Sequence, residues 1–162
     1  MEEEIILGID PGTIITGFGL IKKGKRLEPI DFGCIKPKAS LLLSDRYHLI
    51  YQGVESIIKK YRPKSLAVET QFVKDNVQSA FKVGVARGVV LACAKNHQLK
   101  IFEYAPTKIK IAVTGNGFAK KYQVQTMVKH LLLLDQLPHP EDASDALACA
   151  ICHANQTTHK EM

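Results

Sequence analysis

The chain has no uninterrupted apolar run of membrane-spanning length. Its densest stretch, Leu131 to Leu134, lies inside a helical pattern and falls far short of the ~20 residues a bilayer core requires. It also has no internal repeat, linker or low-complexity tract, so neither a solenoid nor an array of modules finds support. Its 162 residues suit one domain with a real core better than two. We expect that domain over residues 1–155, with 156–162 as a frayed polar tail. The opening Met1-Glu2-Glu3-Glu4 is acidic and lacks the positive region of a secretory signal, so a cytoplasmic protein with no membrane partner is expected. Cysteine is sparse. Cys34, Cys93, Cys149 and Cys152 stand among apolar residues, and in a reducing compartment they are expected as core thiols, not disulfides.

What the chain has in excess is positive charge: +6, with a pI near 9.1. That favours a polyanionic partner, since lysines gain free energy by displacing the counterions of a phosphate backbone.

The order of elements follows from hydrophobic period. Ile5 to Asp10 is nearly all apolar and reads as a central strand buried on both faces. The turn Asp10-Pro11-Gly12-Thr13 leads to a second strand, Thr16 to Lys22, and Lys23-Gly24-Lys25 leads to a third, Leu27 to Lys36. A helix from Ser44 to Tyr61, a strand from Ser65 to Glu69 and a helix opening at Val77 follow. A strand from Lys100 to Tyr104 comes next, then helices over Thr107–Val113, Lys121–Leu134 and Glu141–Ala154. This is an α/β fold with a five-stranded mixed sheet flanked by helices. A crossover helix between the third and fourth strands lays strand four parallel to strand one. The C-terminal ends of those two strands carry Asp10 and Glu69, at the edge where open α/β sheets bind ligands.

Asp142 and Asp145 stand three apart in the first turn of the last helix, hence on one face. Singly, each acid has an ordinary explanation. Asp10 opens a Pro-Gly turn, Glu69 ends a strand, and Asp142 and Asp145 complement a helix dipole. Together, a plausible topology gathers all four at one place. Clustered carboxylates resist ionisation unless a cation offsets them, and an all-oxygen donor set favours Mg²⁺, with Mn²⁺ as substitute. Two such ions per site suit phosphodiester hydrolysis by in-line attack.

Ile6-Leu7-Gly8-Ile9-Asp10-Pro11-Gly12-Thr13, Thr16-Gly17-Phe18-Gly19 and Ala67-Val68-Glu69 with Phe72 resemble segments of the RuvC resolvases. So do Ser79-Ala80-Phe81-Lys82-Val83-Gly84, Ala86-Arg87-Gly88, Phe102-Glu103-Tyr104-Ala105 and Asp142-Ala143-Ser144-Asp145-Ala146-Leu147-Ala148, in order across Ile6 to about His153. The resemblance implies a ribonuclease-H-like fold and Mg²⁺-dependent, symmetrical nicking of four-way junction DNA. It also implies partnership with the RuvA–RuvB branch-migration complex, and it assigns Asp10, Glu69, Asp142 and Asp145 to a catalytic, metal-holding quartet. Some members of that family carry histidine in place of Asp142. Thr70-Gln71 and Pro106 look like variable positions, which leaves loop geometry open.

By itself Phe72, in a loop with Lys74 and Asn76, reads more readily as a core residue; the resemblance makes it a base-stacking aromatic. Lys108, Lys110, Lys120 and Lys121 flank the Gly115-Asn116-Gly117 loop and suit phosphate contact, though each also fits a solvated basic face. The resemblance singles out Lys110 and Lys121 as needed for activity. Arg87 is a weaker DNA candidate and also suits bracing of its helix. Cys149-x-x-Cys152-His153 invites a zinc reading, but a lone CxxC on a helix favours buried thiols.

Nicking two strands of like polarity calls for two sites, hence a homodimer. The helix face of Val77, Ala80, Phe81, Gly84, Val85, Gly88 and Ala92 is the candidate interface, although packing on the sheet would explain the same pattern. The alternatives are an actin-like or sugar-kinase-like ATPase, for which 162 residues leave no room, a catalytically silent junction-binding module, and a nuclease of the same fold acting on another nucleic acid.

Overall fold

The computed structural model describes residues 2–70, 75–156 and 161–162. Strands β1 (Glu4–Asp10), β2 (Thr16–Lys23) and β3 (Leu27–Ile35) lead through helix α1 (Leu43–Tyr61) to β4 (Ser65–Glu69). Then come α2 (Val77–Asn96), β5 (Lys100–Tyr104), α3 (Pro106–Thr114), α4 (Lys121–Leu131) and α5 (Glu141–Ala154). The five strands form one sheet in the order β3-β2-β1-β4-β5. β1, β2 and β3 pair antiparallel, whereas β1–β4 and β4–β5 pair parallel. β1 is therefore central, which its apolar run on both faces requires.

Strand alternation divides the core in two. Ile6, Ile21, Ala67, Phe102 and Tyr104 face α5, with α3 and α4 beside it, and pack on Leu147, Ile151, Ile109 and Val124. Leu7, Ile9, Leu20, Leu66, Val68 and Ile101 face the other way, onto Ile50, Val54, Ala86 and Val90 of α1 and α2.

Two helices depart from the expected bounds. α4 stops at Leu131, short of Leu134, because Leu133 takes the left-handed conformation (φ 53°) and turns the chain out of the helix. α3 gains a residue at each end, opening on Pro106, which suits a first helical position, and closing on Gly115 at φ 78°. α2 is, by length and composition, apolar enough to cross a membrane, although no uninterrupted apolar run suggests it. Here it is a layer of the fold, with Ala86, Val90, Cys93 and Ala94 buried and Arg87 paired with Glu103 of β5. At the C-terminus the Met162 amide donates to the Ile101 carbonyl and Lys95 pairs with Glu161. Residues 157–160 lie outside the described residues.

Candidate active site

Asp10 and Glu69 end the neighbouring parallel strands β1 and β4 and alternate onto the α5 face with Gly8 and Ala67. The cross-strand partner of Asp10 is Gly17 of β2. A Cβ at Gly17 would stand 2.1 Å from the Asp142 carbonyl oxygen and 2.8 Å from the Asp142 Cβ. One at Gly8 would stand 1.9 Å from the Ala146 carbonyl oxygen, and one at Gly19 would stand 2.7 Å from the Leu147 side chain. At Gly8 and Gly17 no side chain separates α5 from the sheet. Helix backbone lies on strand backbone, and that contact carries Asp142 and Asp145 to the strand ends where Asp10 and Glu69 stand.

The charges register this crowding. Burial, reinforced by Asp145, Asp142 and Glu69 in that order, pushes the Asp10 carboxyl up to about 8; Lys121 only partly opposes it. Burial also raises Asp145, against the pull of Lys121. The Lys121 ammonium sits 3.3 Å from both Asp145 and Glu141. Burial acts to lower its pKa, but those two carboxylates outweigh that and hold it above the ordinary value. Among the described residues, no three His, Cys, Asp or Glu side chains are placed to share one metal ion. As donors, though, the four acids suit a hard divalent ion: all are oxygen ligands, and the Lys121 ammonium only partly offsets the charge at Asp10.

Lys110 and Lys121 line, with Glu69, Asp145 and Cys149, a cleft of about 250 Å³. Lys108 instead lies over the Tyr104 ring, 5.5 Å from its centroid. Lys120 is exposed at the start of α4, its amide donating to the Gln123 side chain. Neither lines the cleft. Asn76 caps α2, its carboxamide oxygen accepting from the Ser79 amide at 3.1 Å. Phe72 and Lys74 lie outside the described residues. Arg87 braces its helix against Glu103.

Cys149 and Cys152 are buried free thiols. His153 is buried too, with its Nδ1 2.6 Å from the Tyr104 hydroxyl and its ring against Phe102. Glu141, which competes for Lys121, and the glycine seat of α5 stand outside the residues expected from the sequence. Glycines at 8, 17 and 19, alternating along otherwise buried strands, are the signal that would have found the seat.

A mixed sheet of this order, with acids at the ends of its central parallel strands and on the helix crossing them, defines the ribonuclease-H-like class of proteins. The family model for the crossover junction endodeoxyribonuclease RuvC matches residues 6–153, and the chain belongs to that family. It is 55% identical over 158 residues to the RuvC of Protochlamydia amoebophila (97% of this chain, 94% of that one). To the RuvC of Desulforamulus reducens it is 49% identical over 151 residues, covering 93% of each. Thermus thermophilus RuvC in complex with Holliday junction substrate superposes with a TM-score of 0.91 at 32% identity, over 98% of this chain and 99% of that one. The yeast mitochondrial Holliday junction resolvase, at 13% identity and a TM-score of 0.66 over 92% of this chain and 77% of that one, shares the fold.

Proposed function

We propose that this chain is a structure-selective DNA endonuclease that resolves Holliday junctions, by symmetrical phosphodiester hydrolysis, during homologous recombination and repair. The observation that carries the reading is the seat of α5 on Gly17, the ladder partner of Asp10, which sets Asp142 over the strand end bearing Asp10. Asp10, Glu69, Asp142 and Asp145 would hold Mg²⁺, with Mn²⁺ as substitute and two ions per site. When bound, the ions supply an activated water and stabilise the leaving oxygen. The protein's own part is positional and electrostatic. The backbone seat fixes Asp142 and Asp145, while Lys110 and Lys121, in the cleft beside Glu69, would offset charge gathering on the phosphate. Phe72, Lys74, Asn76, Lys108 and Lys120 would serve the DNA around that centre.

Two strands must be cut, so the working form would be a homodimer, with α2 as its interface. The face marked in the sequence turns outward: Val77 is 71% exposed and Phe81 73%, Val85 and Gly88 are open, and other residues of α2 meet the core. Packing of that face on the sheet no longer accounts for its pattern. We further propose a cytoplasmic protein, folded as one nuclease domain over residues 1–155, that works with the RuvA–RuvB complex.

The test is cleavage of an end-labelled four-way junction able to branch-migrate, with Mg²⁺, with EDTA, and with the Asp10→Asn variant. Paired nicks at symmetrical positions, abolished by EDTA and by the substitution, are expected. A junction bound but never cut, with Mg²⁺ or Mn²⁺, would instead leave a binding module.

A further inference from the structure

We propose that a second cleft binds a backbone phosphate of the DNA strand adjoining the scissile phosphate, through Arg46, Lys82 and the Thr13 hydroxyl. This rests on the nuclease reading above. The cleft lies between the β1–β2 turn and the first turns of α1 and α2. It has a volume of about 410 Å³ and reaches Asp142 at the acidic cluster.

Two threonines, Thr13 in the turn and Thr16 at the start of β2, are used in opposite ways. The Thr16 hydroxyl donates to the Gly12 carbonyl at 2.8 Å and accepts from the Gly12 amide at 3.2 Å, so it holds the turn closed. The Thr13 hydroxyl, on a residue only 8% exposed, has no hydrogen-bond partner among the described residues. A buried hydroxyl left unpaired is costly, and the fold does not need this one to shape the turn. Beside it, one Arg46 Nη donates to the Thr13 carbonyl at 2.7 Å, while the Arg46 Nε is buried without a partner among the described residues. A guanidinium carries five donors arranged to meet an oxyanion in pairs. Here one is spent on the turn, and no carboxylate is paired with the group among the described residues.

Lys82 lines the same cleft from α2. Lys22, Lys59, Lys64 and Lys95 pair with carboxylates, whereas Lys82 has no ion pair among the described residues. Two cations and an unused hydroxyl thus converge on a groove whose far end is the carboxylate cluster. Asp142 would repel a phosphate set against it, which places the anion at the Thr13–Arg46–Lys82 end. A strand with one phosphate at the catalytic cluster would run its next phosphates through this groove. Contacts of this kind fix register and carry no sequence information.

The experiment measures four-way junction binding by the full chain in EDTA across a salt series, for the wild type, Lys82→Ala, Arg46→Met and the double variant. Each single change is expected to weaken binding roughly five- to tenfold at low salt and to lower the slope of log affinity against log salt by about 0.9, the double by about twice that. Lys82→Arg should restore the slope. Thr13→Val should weaken binding a few-fold with the slope unchanged. If Arg46 merely holds the turn, Arg46→Met will lower the melting temperature and leave the slope where it was. Wild-type slopes in both Lys82→Ala and Arg46→Met would overturn the subsite while leaving the nuclease reading intact. A wild type that does not bind the junction would remove both.

Discussion

On the face covered by α5, the sheet presents Gly8 and Gly17 directly to helix backbone, and Gly19 to the Leu147 side chain. On the face covered by α1 and α2, the same strands present Leu7, Ile9, Leu20, Leu66 and Val68, and the helices stand off on a layer of side chains. The second arrangement is the ordinary source of stability, at about 1.5–3 kcal/mol for each large apolar side chain fully buried. The first gives up that volume around its glycines and gains position instead. Backbone on backbone has few ways to shift, so Asp142 and Asp145 are fixed relative to Asp10 by the least adjustable atoms in the chain. The outward sides of α1 and α2, free of that duty, carry the two proposed contacts: Arg46 and Lys82 toward DNA, and the Phe81 stripe toward a second copy.

The largest effect should come from breaking the α5 seat. In Gly17→Ala the new methyl would lie 2.1 Å from the Asp142 carbonyl oxygen, a contact with backbone that no rotamer relieves. Overpacking of this kind costs about 1–3 kcal/mol, and a misplacement of ~1 Å at a catalytic group costs on the order of a hundredfold in rate. We expect single-turnover junction cleavage to fall by at least that factor while junction binding changes little, with a lowered melting temperature. Wild-type cleavage would mean that the seat does not set the position of Asp142, and the contrast between the faces would lose its functional half.

The same contrast explains what could be read from the sequence. β1 was legible because doubly buried strands are apolar without alternation, and the parallel β1–β4 pair followed from one intervening helix. The C-terminal edge bearing Asp10 and Glu69 came with them. The end of α4 was not legible: Leu131 to Leu134 continues an apolar pattern through the residue that reverses φ, and periodicity does not encode that reversal. Asn76 stands just before a helix, where asparagine satisfies an orphan amide, so its capping bond to Ser79 has a local sequence signal. Thr13 and Arg46 lie 33 residues apart, and nothing local pairs them before the chain folds.

An intermediate effect is expected from the outer surface. Phe81→Glu places a charge where a phenylalanine ring is 73% exposed, so the folded monomer should hold its stability within about 0.5 kcal/mol. If α2 pairs with a second copy, the charge should dissociate it. Light scattering should then report a monomer at concentrations where the wild type is a dimer, and paired nicks should give way to single, uncoordinated ones. A wild type that is itself monomeric, with and without junction DNA, would remove the dimer.

The smallest effect sets one glycine against another. Gly88 sits inside α2 with nothing within 4 Å of the position a Cβ would take, the reverse of Gly17. Within the isolated chain, Gly88→Ala should therefore gain helix propensity, about 0.5–1 kcal/mol. That corresponds to a rise in melting temperature of roughly 1–4 °C for a protein of this size. The gain should be clearest in the Phe81→Glu background, where no second copy contributes. If the wild-type background shows a weaker dimer instead, then the space above Gly88 is filled by the partner helix at close approach. The glycine would then do between two chains what Gly17 does within one.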